Sequence, residues 1–169
     1  DGQEENRLKG IINYLTKKAG GNIYEKQIID LSASSINTKI NHLVDLNENI
    51  FQTKKVPNQW VEYDFKEKKI RITHYTIKTR IDDCDGANPQ NWVIEGSNSN
   101  QQNDWVIIDS RRNEESTQKA NKTATFEIKN NESNESFRYI RFRQTGKSTW
   151  DDDYLTLTSL EFFGTLITK

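Results

Sequence analysis

Short segments in which apolar and polar residues alternate constrain the fold of this chain more than any other feature. Within Trp60–Phe65, the residues Val61, Tyr63 and Phe65 fall on one face, as in a half-buried strand. Similar β-rich segments lie at residues 27–32, 70–77, 92–97, 105–109, 125–128, 137–143 and 155–164. Because no helical pattern separates them, the sequence predicts an all-β jelly-roll sandwich of about eight strands.

One of these segments changes its side-chain parity part of the way along. Ile70 and Ile72 share one parity, whereas Tyr75 and Ile77 have the other. A single extra residue in a strand has this effect, so the pattern predicts a β-bulge near Thr73–His74.

A helical period occurs only at the start of the chain. Its apolar positions, at the spacing i, i+3, i+4 and i+7, are Leu8, Ile11, Ile12 and Leu15. The Ala-Gly-Gly-Asn run at residues 19–22 predicts the helix end. We expect residues 1–20 to form an amphipathic helix docked on a sheet, or a linker from an upstream domain, and residues 21–169 to form the β domain.

The charge balance argues against two classes of partner. Lys and Arg number 24 and Asp and Glu number 25, so no global field gathers nucleic acid or an anionic membrane. No run approaches the ~18 apolar residues of a membrane span. Arg138, Arg141 and Arg143 are clustered, but we interpret them as a solvated sheet face paired with glutamates. We therefore expect neither nucleic-acid binding nor membrane insertion.

Cysteine content bears on the compartment. Cys84 is the only cysteine, so no internal disulfide is possible. Secreted β domains of this size often carry one. We expect a cytoplasmic protein, with an extracellular location as the alternative. Because the sequence starts at Asp1 and has no Met, we also expect it to be part of a larger multidomain protein.

The usual catalytic and metal-binding patterns are missing from the sequence. No zinc-binding His or Cys spacing, nucleophile elbow or phosphate-binding glycine loop occurs. A Cys84–His42 nucleophile pair is conceivable, but acidic neighbours would raise the pKa of the thiol. The acidic stretch Asp82–Gly86 fails as a calcium loop, because Ile81 and Trp92 would occupy ligand positions. We expect no enzyme activity, no cofactor and no assigned metal.

The four tryptophans have different settings. Trp60, Trp92 and Trp105 each open a β-rich segment and are expected in the core or at its edge. Trp150 instead lies in a polar loop, where no strand periodicity holds it inside. An exposed tryptophan offers a stacking platform for a sugar ring or an arginine side chain, so Trp150 is the leading candidate for a binding residue.

Several segments together resemble a known family. In chain order they are Ser32-Ala33-Ser34-Ser35, Trp60–Phe65, Thr73–Ile77, Asn91–Ser97, Arg138–Phe142, Leu155–Leu157 and Leu160–Gly164. Their order and spacing resemble the discoidin, or coagulation factor 5/8 type C, domain over residues 21–166. The likeness is greatest to the intracellular branch attached to BTB-domain proteins.

This resemblance implies a galactose-binding-like jelly roll that binds a ligand without catalysis. Loops at one end of the barrel hold the ligand in such domains, and the matching loops are residues 36–52, 81–91 and 146–153. Some relatives hold a structural calcium, for which Asp45 and Glu161 occupy comparable positions. The Gly and Thr expected after that Asp are absent, and calcium is left unassigned.

Two binding functions follow from this reasoning. The first hypothesis is a noncatalytic recognition module for a protein or peptide partner. The alternative is a carbohydrate-binding module of the same fold, in which Trp150 lies under a sugar face. The candidate ligand-binding residues are Trp150, Asp82, Asp83, Asp85, Arg80, Lys147, Asp151, Asp152 and His42.

Overall fold

A computed structural model describes residues 6–47, 49–129 and 135–168. Its elements are the helix α1 (Ile11–Ala19), a 3-10 helix (Ile40–Val44) and the strands β1 (Asp30–Ala33), β2 (Phe51–Gln52), β3 (Trp60–Asp64), β4 (Lys68–Lys78), β5 (Trp92–Ser97), β6 (Val106–Arg111), β7 (Thr123–Glu127), β8 (Tyr139–Gln144), β9 (Thr156–Leu157) and β10 (Ser159–Thr168). Each predicted β-rich segment contains a strand, although residues 27–29 of the first segment form a turn and the last segment contains two strands, β9 and β10. The short strand β2 was not predicted and lies in the long loop of residues 36–52.

The strands form a sandwich of antiparallel sheets. One sheet has five strands in the order β1-β3-β8-β5-β6, and the opposing sheet has three in the order β10-β4-β7. The short strands β2 and β9 pair beside them. Predicted alternation is confirmed in β3 and the residue after it, because Val61, Tyr63 and Phe65 are all fully buried in the core between the sheets.

The predicted bulge is confirmed in β4. Phe163 of β10 pairs with His74, whereas the next residue, Gly164, pairs with Ile72, so Thr73 is the extra residue. This insertion changes the parity of β4 and turns both Ile72 and Tyr75 into the core. Gly164 adopts φ 141°, and a Cβ there would overlap the carbonyl oxygen of Arg71.

Helix α1 packs on the sandwich through the predicted apolar face. Ile11, Ile12 and Leu15 are buried in the main core, and Gly20 ends the helix in the left-handed conformation. The helix begins at Ile11, after Gly10 as its N-cap, so Leu8 lies outside it. No helix in the described ranges is both long and apolar enough to cross a membrane.

The three tryptophans that precede or open strands lie on the two faces of the five-stranded sheet. Trp92 is fully buried. Trp60 and Trp105 are half-buried on the outer face of the five-stranded sheet, where their rings flank the guanidinium of Arg141 at 4.5 and 3.8 Å from the ring centroids. Trp92 agrees with the prediction from sequence, whereas Trp60 and Trp105 lie on the sheet face turned away from the core and do not.

Strand register defines which loops share an end of the barrel. Trp92, at the start of β5, pairs with Gln144 at the end of β8. Trp60, at the start of β3, pairs with the neighbouring Arg143. The connections at residues 79–91, 112–122 and 145–155 consequently leave the sheets at one end, and this end carries the candidate site.

Candidate binding site at the rim of the barrel

Residues 79–91 and 145–155 are bonded to each other by backbone and side-chain groups. The amide of Asn88 donates to Thr149 Oγ1 at 3.1 Å, and the amide of Thr149 donates to the carbonyl of Asn88 at 3.0 Å. Thr149 Oγ1 also donates to the carbonyl of Asp85 at 3.1 Å. The two predicted loops thus form one connected surface, which we call the rim.

Trp150 stands on this rim with its side chain outside the core. The residue is 58 % exposed. Its indole lies against Gly86, because a Cβ atom at Gly86 would overlap the ring atoms Cε2, Nε1 and Cδ2. The absence of a side chain at Gly86 therefore creates the seat for the ring, and the rest of the indole stays open to solvent.

Arg80 borders the same ring. Its guanidinium carbon lies 5.8 Å from the Trp150 ring centroid. Nε and Nη2 donate to the two carboxylate oxygens of Asp82 at 2.5 and 2.6 Å, and Nη1 donates to the carbonyl of Gly86 at 3.2 Å. These charge-assisted bonds lower the pKa of Asp82 and raise that of Arg80.

Asp152 holds the turn that presents Trp150. Its side chain is 6 % exposed, and Oδ1 accepts from Ser148 Oγ at 2.5 Å and from the amide of Tyr154 at 3.1 Å. Asp151, at the tip, adopts φ 55°, a conformation that Asp tolerates better than most residues. The structure places Asp152 under the turn and Asp151 on its surface.

The remaining charged candidates divide into paired and unpaired groups. Lys147 Nζ donates to Asp153 at 2.7 Å, and this bond raises the pKa of Lys147. Asp85 accepts from the amide of Ala120 and from Lys119 Nζ at 2.9 and 3.1 Å, which lowers the pKa of Asp85. Two exposed carboxylates on the rim form no ion pair or side-chain hydrogen bond with described residues: Asp83 and Asp151.

A third segment, residues 112–122, supports the rim and was not predicted to do so. Most of its residues are polar, but Thr117 is fully buried and donates to the carbonyl of Pro89 at 2.5 Å. The amide of Asn121 donates to the carbonyl of Arg80 at 2.8 Å. A single buried Thr creates no repeating apolar pattern, so the sequence did not indicate that this segment supports the rim.

The third predicted loop, residues 36–52, leaves the sheet at the same end, because Ala33 at the end of β1 pairs with Val61 near the start of β3. Its strand β2 pairs with β9, and Gln52 Nε2 donates to Thr156 Oγ1 at 3.1 Å. His42 lies in the 3-10 helix, where Nδ1 contacts the carbonyl oxygen of Ile50 at 2.9 Å. Within the described ranges, no hydrogen bond joins His42 to Cys84 or to the rim around Trp150.

Two residues comparable to calcium ligands of related domains use their carboxylates differently in this structure. Glu161 accepts from the amides of Ile12 and Asn13 at 2.8 and 2.9 Å and so holds the start of α1. Asp45 accepts from the amide of Asn47 and from Asn49 Nδ2 at 3.0 and 2.8 Å. Both carboxylates therefore accept hydrogen bonds within the protein, and the described residues contain no cluster of three or more His, Cys, Asp or Glu side chains that could hold a metal ion.

The clustered arginines are paired, but the interpretation of a solvated face with glutamate partners holds only in part, because Arg138 donates to Asp64 at 2.7 Å. Arg141 donates to Glu62 at 2.8 Å, and Arg143 donates to Glu95 at 2.5 Å. Both glutamates are buried. This sheet face therefore presents neutralised pairs and not a basic patch.

An antiparallel sandwich that gathers an exposed aromatic ring and polar groups on the loops of one end has the architecture of a galactose-binding-like module. The sequence profile of the F5/8 type C domain family matches residues 29–157, more than half of the chain. The chain belongs to the F5/8 type C domain family, as the order of its motifs suggested. The likeness to the BTB-associated branch stays a prediction.

Three solved structures have similar folds. CpGH89CBM32-5 from Clostridium perfringens, in complex with GalNAc-β-1,3-galactose, has a TM-score of 0.63 and 12 % identity over 82 % of this chain and 97 % of that one. Chitosan-binding module 2 of a Paenibacillus chitosanase/glucanase, in complex with chitotriose, has a TM-score of 0.60 and 16 % identity over 81 % and 97 %. The CBM32 of AlyQ, in complex with 4,5-unsaturated mannuronic acid, has a TM-score of 0.61 and 14 % identity over 82 % and 96 %.

At these identities the likeness shows the fold. No curated protein matches the chain in sequence. The family and these neighbours are noncatalytic binding modules, so the general class of binding module is supported.

Proposed function

We propose that this chain is a noncatalytic carbohydrate-binding module that holds a sugar ring on Trp150 at the rim of the barrel. The observation that carries the proposal is the exposed indole seated on Gly86. A large apolar ring left open to water offers stacking area to a ligand with an apolar face and a polar edge. A pyranose has both.

The neighbours change the order of the two hypotheses drawn from the sequence. Those named above are complexes with sugars, which favours the carbohydrate alternative over a protein or peptide partner. Their ligands are a neutral disaccharide, a chitosan fragment and a uronic acid, so the fold alone does not select one sugar.

The polar groups beside the ring complete the site. A small number of placed hydrogen-bonding groups around an apolar surface fixes the orientation of a ligand. The carboxylates of Asp83 and Asp151 are exposed acceptors for sugar hydroxyl groups. Arg80 and Lys147 contribute less directly, because each is already bonded to an aspartate of the rim.

A glycan array with the wild-type chain and Trp150→Ala tests the proposal. We expect the wild type to bind a defined class of glycans and Trp150→Ala to lose this binding, with an unchanged melting temperature. Tyr14→Ala is the matched control, because Tyr14 is a similarly exposed aromatic residue (54 %) on α1. An array without a reproducible glycan class, or one that Trp150→Ala binds equally well, would contradict the proposal.

A further inference from the structure

The second half of β10 is an open sheet edge. Among the described strands, β10 pairs with β4 alone. Leu166 is opposite Ile70, and Ile70 exchanges both backbone hydrogen bonds with Phe137 on its other side, at 2.8 and 2.9 Å. In an antiparallel pair of this kind, the amide and carbonyl of Leu166 point away from β4. Residues two positions away share this orientation, so Gly164 and Thr168 also present their backbone groups to the edge.

Helix α1 lies beside this edge without covering it. The two elements touch at Gly10, where a Cβ would overlap the carbonyl oxygen of Phe162. Past this contact they are separated by a groove of about 280 Å³, with residues 9–11 and Tyr14 on one wall and residues 163, 164 and 166 on the other. Within the described ranges, no hydrogen bond joins the outward backbone groups of Leu166 to α1.

The groove has apolar walls. Tyr14 is exposed on α1, and Leu166 is half-buried against the core. The ring of Phe163 stacks on that of His74, with 4.4 Å between the ring centroids. An open strand edge beside an apolar groove suits an extended peptide, because the backbone ladder provides affinity and alternate side chains provide specificity.

Cationic side chains border the groove. Lys9 lies in its wall, and Lys18 Nζ is 5.9 Å from the centroid of the Tyr14 ring. Lys69 and Arg71 alternate with buried residues of β4, so they lie on the outer face of the sheet, in register with the end of β10. Several positive groups thus lie around one short stretch of strand edge.

Three carboxylates occur on the neighbouring elements, but none of them lines the groove. Glu161 is buried and accepts from three backbone amides. Glu127 lies on β7, across β4 from the open edge. Glu67 lies in the turn before β4. The charge around the groove therefore complements acidic side chains of a ligand.

We propose that the edge of β10 from Gly164 to Thr168 binds an extended peptide as an additional strand, with apolar side chains against Tyr14 and acidic side chains beside the bordering cations. This surface is separate from the rim. Ser159, at the start of β10, pairs with Lys78 at the rim end, whereas Thr168 pairs with Lys68 at the opposite end. The inference is independent of glycan binding on Trp150.

Peptide arrays followed by fluorescence polarisation test the inference. The probes are octapeptides in which Asp or Glu alternates with Val, Ile, Leu, Phe or Tyr, and a matched set with Lys or Arg in the acidic positions. We expect the intact chain to bind the best acidic peptide on the order of tenfold more tightly than its basic counterpart. N-methylation of alternate amides should abolish binding in one register and preserve it in the other, because only alternate backbone groups of an added strand face β10.

Tyr14→Ala should weaken peptide binding on the order of tenfold and leave glycan binding unchanged. Trp150→Ala is the matched control with the opposite result, since both variants remove an exposed aromatic ring. Hydrogen exchange should show the amide of Leu166 protected only in the peptide complex.

Three results would overturn the inference: no acidic peptide is retained, acidic and basic peptides bind equally, or peptides N-methylated in either register bind alike. A Leu166 amide already protected without peptide, in a chain that sediments as a dimer, would identify a second copy as the occupant and also overturn it. None of these results affects glycan binding on Trp150, and loss of glycan binding leaves the peptide inference standing.

Discussion

The indole of Trp150 occupies the space that a side chain at Gly86 would fill. Gly86 lies in the loop before β5 and Trp150 in the loop after β8, so the ring is held by contact between two loops distant in sequence. Seating the ring in this way orders it before a ligand arrives, which reduces the entropy lost on binding.

Gly86→Ala should weaken glycan binding without unfolding the chain. The new methyl group overlaps the indole, and the exposed ring can move away because it is not part of the core. We expect the affinity to fall to that of Trp150→Ala, measured by titration with the best glycan from the array, and the melting temperature to change little.

Gly146→Ala is the control for this substitution. A Cβ at Gly146 meets Asn91 at 3.0 Å or more and does not touch the tryptophan. It should bind as the wild type does. If Gly86→Ala also retains full affinity, the seat on Gly86 does not contribute to the site.

Asp152→Ala should loosen the turn that carries Trp150. It removes the acceptor for Ser148 Oγ and for the amide of Tyr154, which leaves two donors without a partner. We expect a loss of about 1–3 kcal/mol in the free energy of unfolding, measured by urea denaturation, together with weaker glycan binding.

Asp152→Asn distinguishes the hydrogen bonds from the charge. Its Oδ1 can still accept from both donors, so we expect stability and glycan affinity near those of the wild type. An equal loss in the Asn and Ala variants would show that the charge of Asp152, and not its role as acceptor, supports the turn.

The sandwich is readable from the sequence because strand alternation is a local pattern. Val61, Tyr63 and Phe65 indicate the buried face of β3 without any knowledge of its partners. Strand β2 (Phe51–Gln52) was missed because two residues are too few to show alternation. The bulge in β4 was found because it changes the parity of an eleven-residue strand.

The site is harder to predict from the sequence than the sandwich, because its residues come from loops that are distant in the chain. Trp150 and the acidic loop at residues 82–85 stand out by composition, but the role of Gly86 depends on a ring contributed by another loop. Thr117 gives no signal in a polar segment, although it is fully buried against the loop that it supports. Which aspartates are paired and which are free depends on the folded geometry, so the charge of the site could not be predicted.

Arg141→Met should destabilise the five-stranded sheet. Arg141 lies between the rings of Trp60 and Trp105 and donates to Glu62, which is buried. Removal of the guanidinium leaves the Glu62 carboxylate without its cation in a poorly solvated place. We expect a loss of about 3 kcal/mol in the free energy of unfolding, measured by chemical denaturation.

The double variant Arg141→Met/Glu62→Gln separates the ion pair from the stacking. Without the buried charge, part of the lost stability should return, and a double-mutant cycle gives the coupling between the two residues. If the double variant is as unstable as the sum of the single variants, the Arg141–Glu62 pair contributes nothing beyond ring packing.

Glu161 should make stability depend on pH near neutrality. The carboxylate is buried and accepts from the amides of Ile12, Asn13 and Phe162. Burial raises its pKa to about 7, against 4.5 for an ordinary glutamate, and outweighs the opposite effect of these hydrogen bonds. Between pH 4.5 and about 7 the folded chain keeps a proton that the unfolded chain has released.

The free energy of unfolding contributed by this group therefore falls as pH rises through that window and is constant above it. From the two pKa values, the fall amounts to about 3 kcal/mol. Glu161→Gln removes the titrating group, so its stability should lack this slope, although its absolute stability is lower because the amide nitrogen faces backbone donors. Urea denaturation of both chains between pH 4.5 and 8 measures the difference.

The other shifted carboxylates do not obscure this test. Hydrogen bonds lower the pKa of Asp82 and Asp85, so their contributions to stability are lost only as pH falls below the ordinary range for aspartate. Glu67→Gln, which removes an exposed carboxylate, should retain the wild-type slope. If the free energy of unfolding depends on pH in the same way for the wild type and Glu161→Gln, the buried carboxylate has the same pKa in the folded and unfolded chains. The hydrogen bonds at the start of α1 would then fully offset the effect of burial on that pKa.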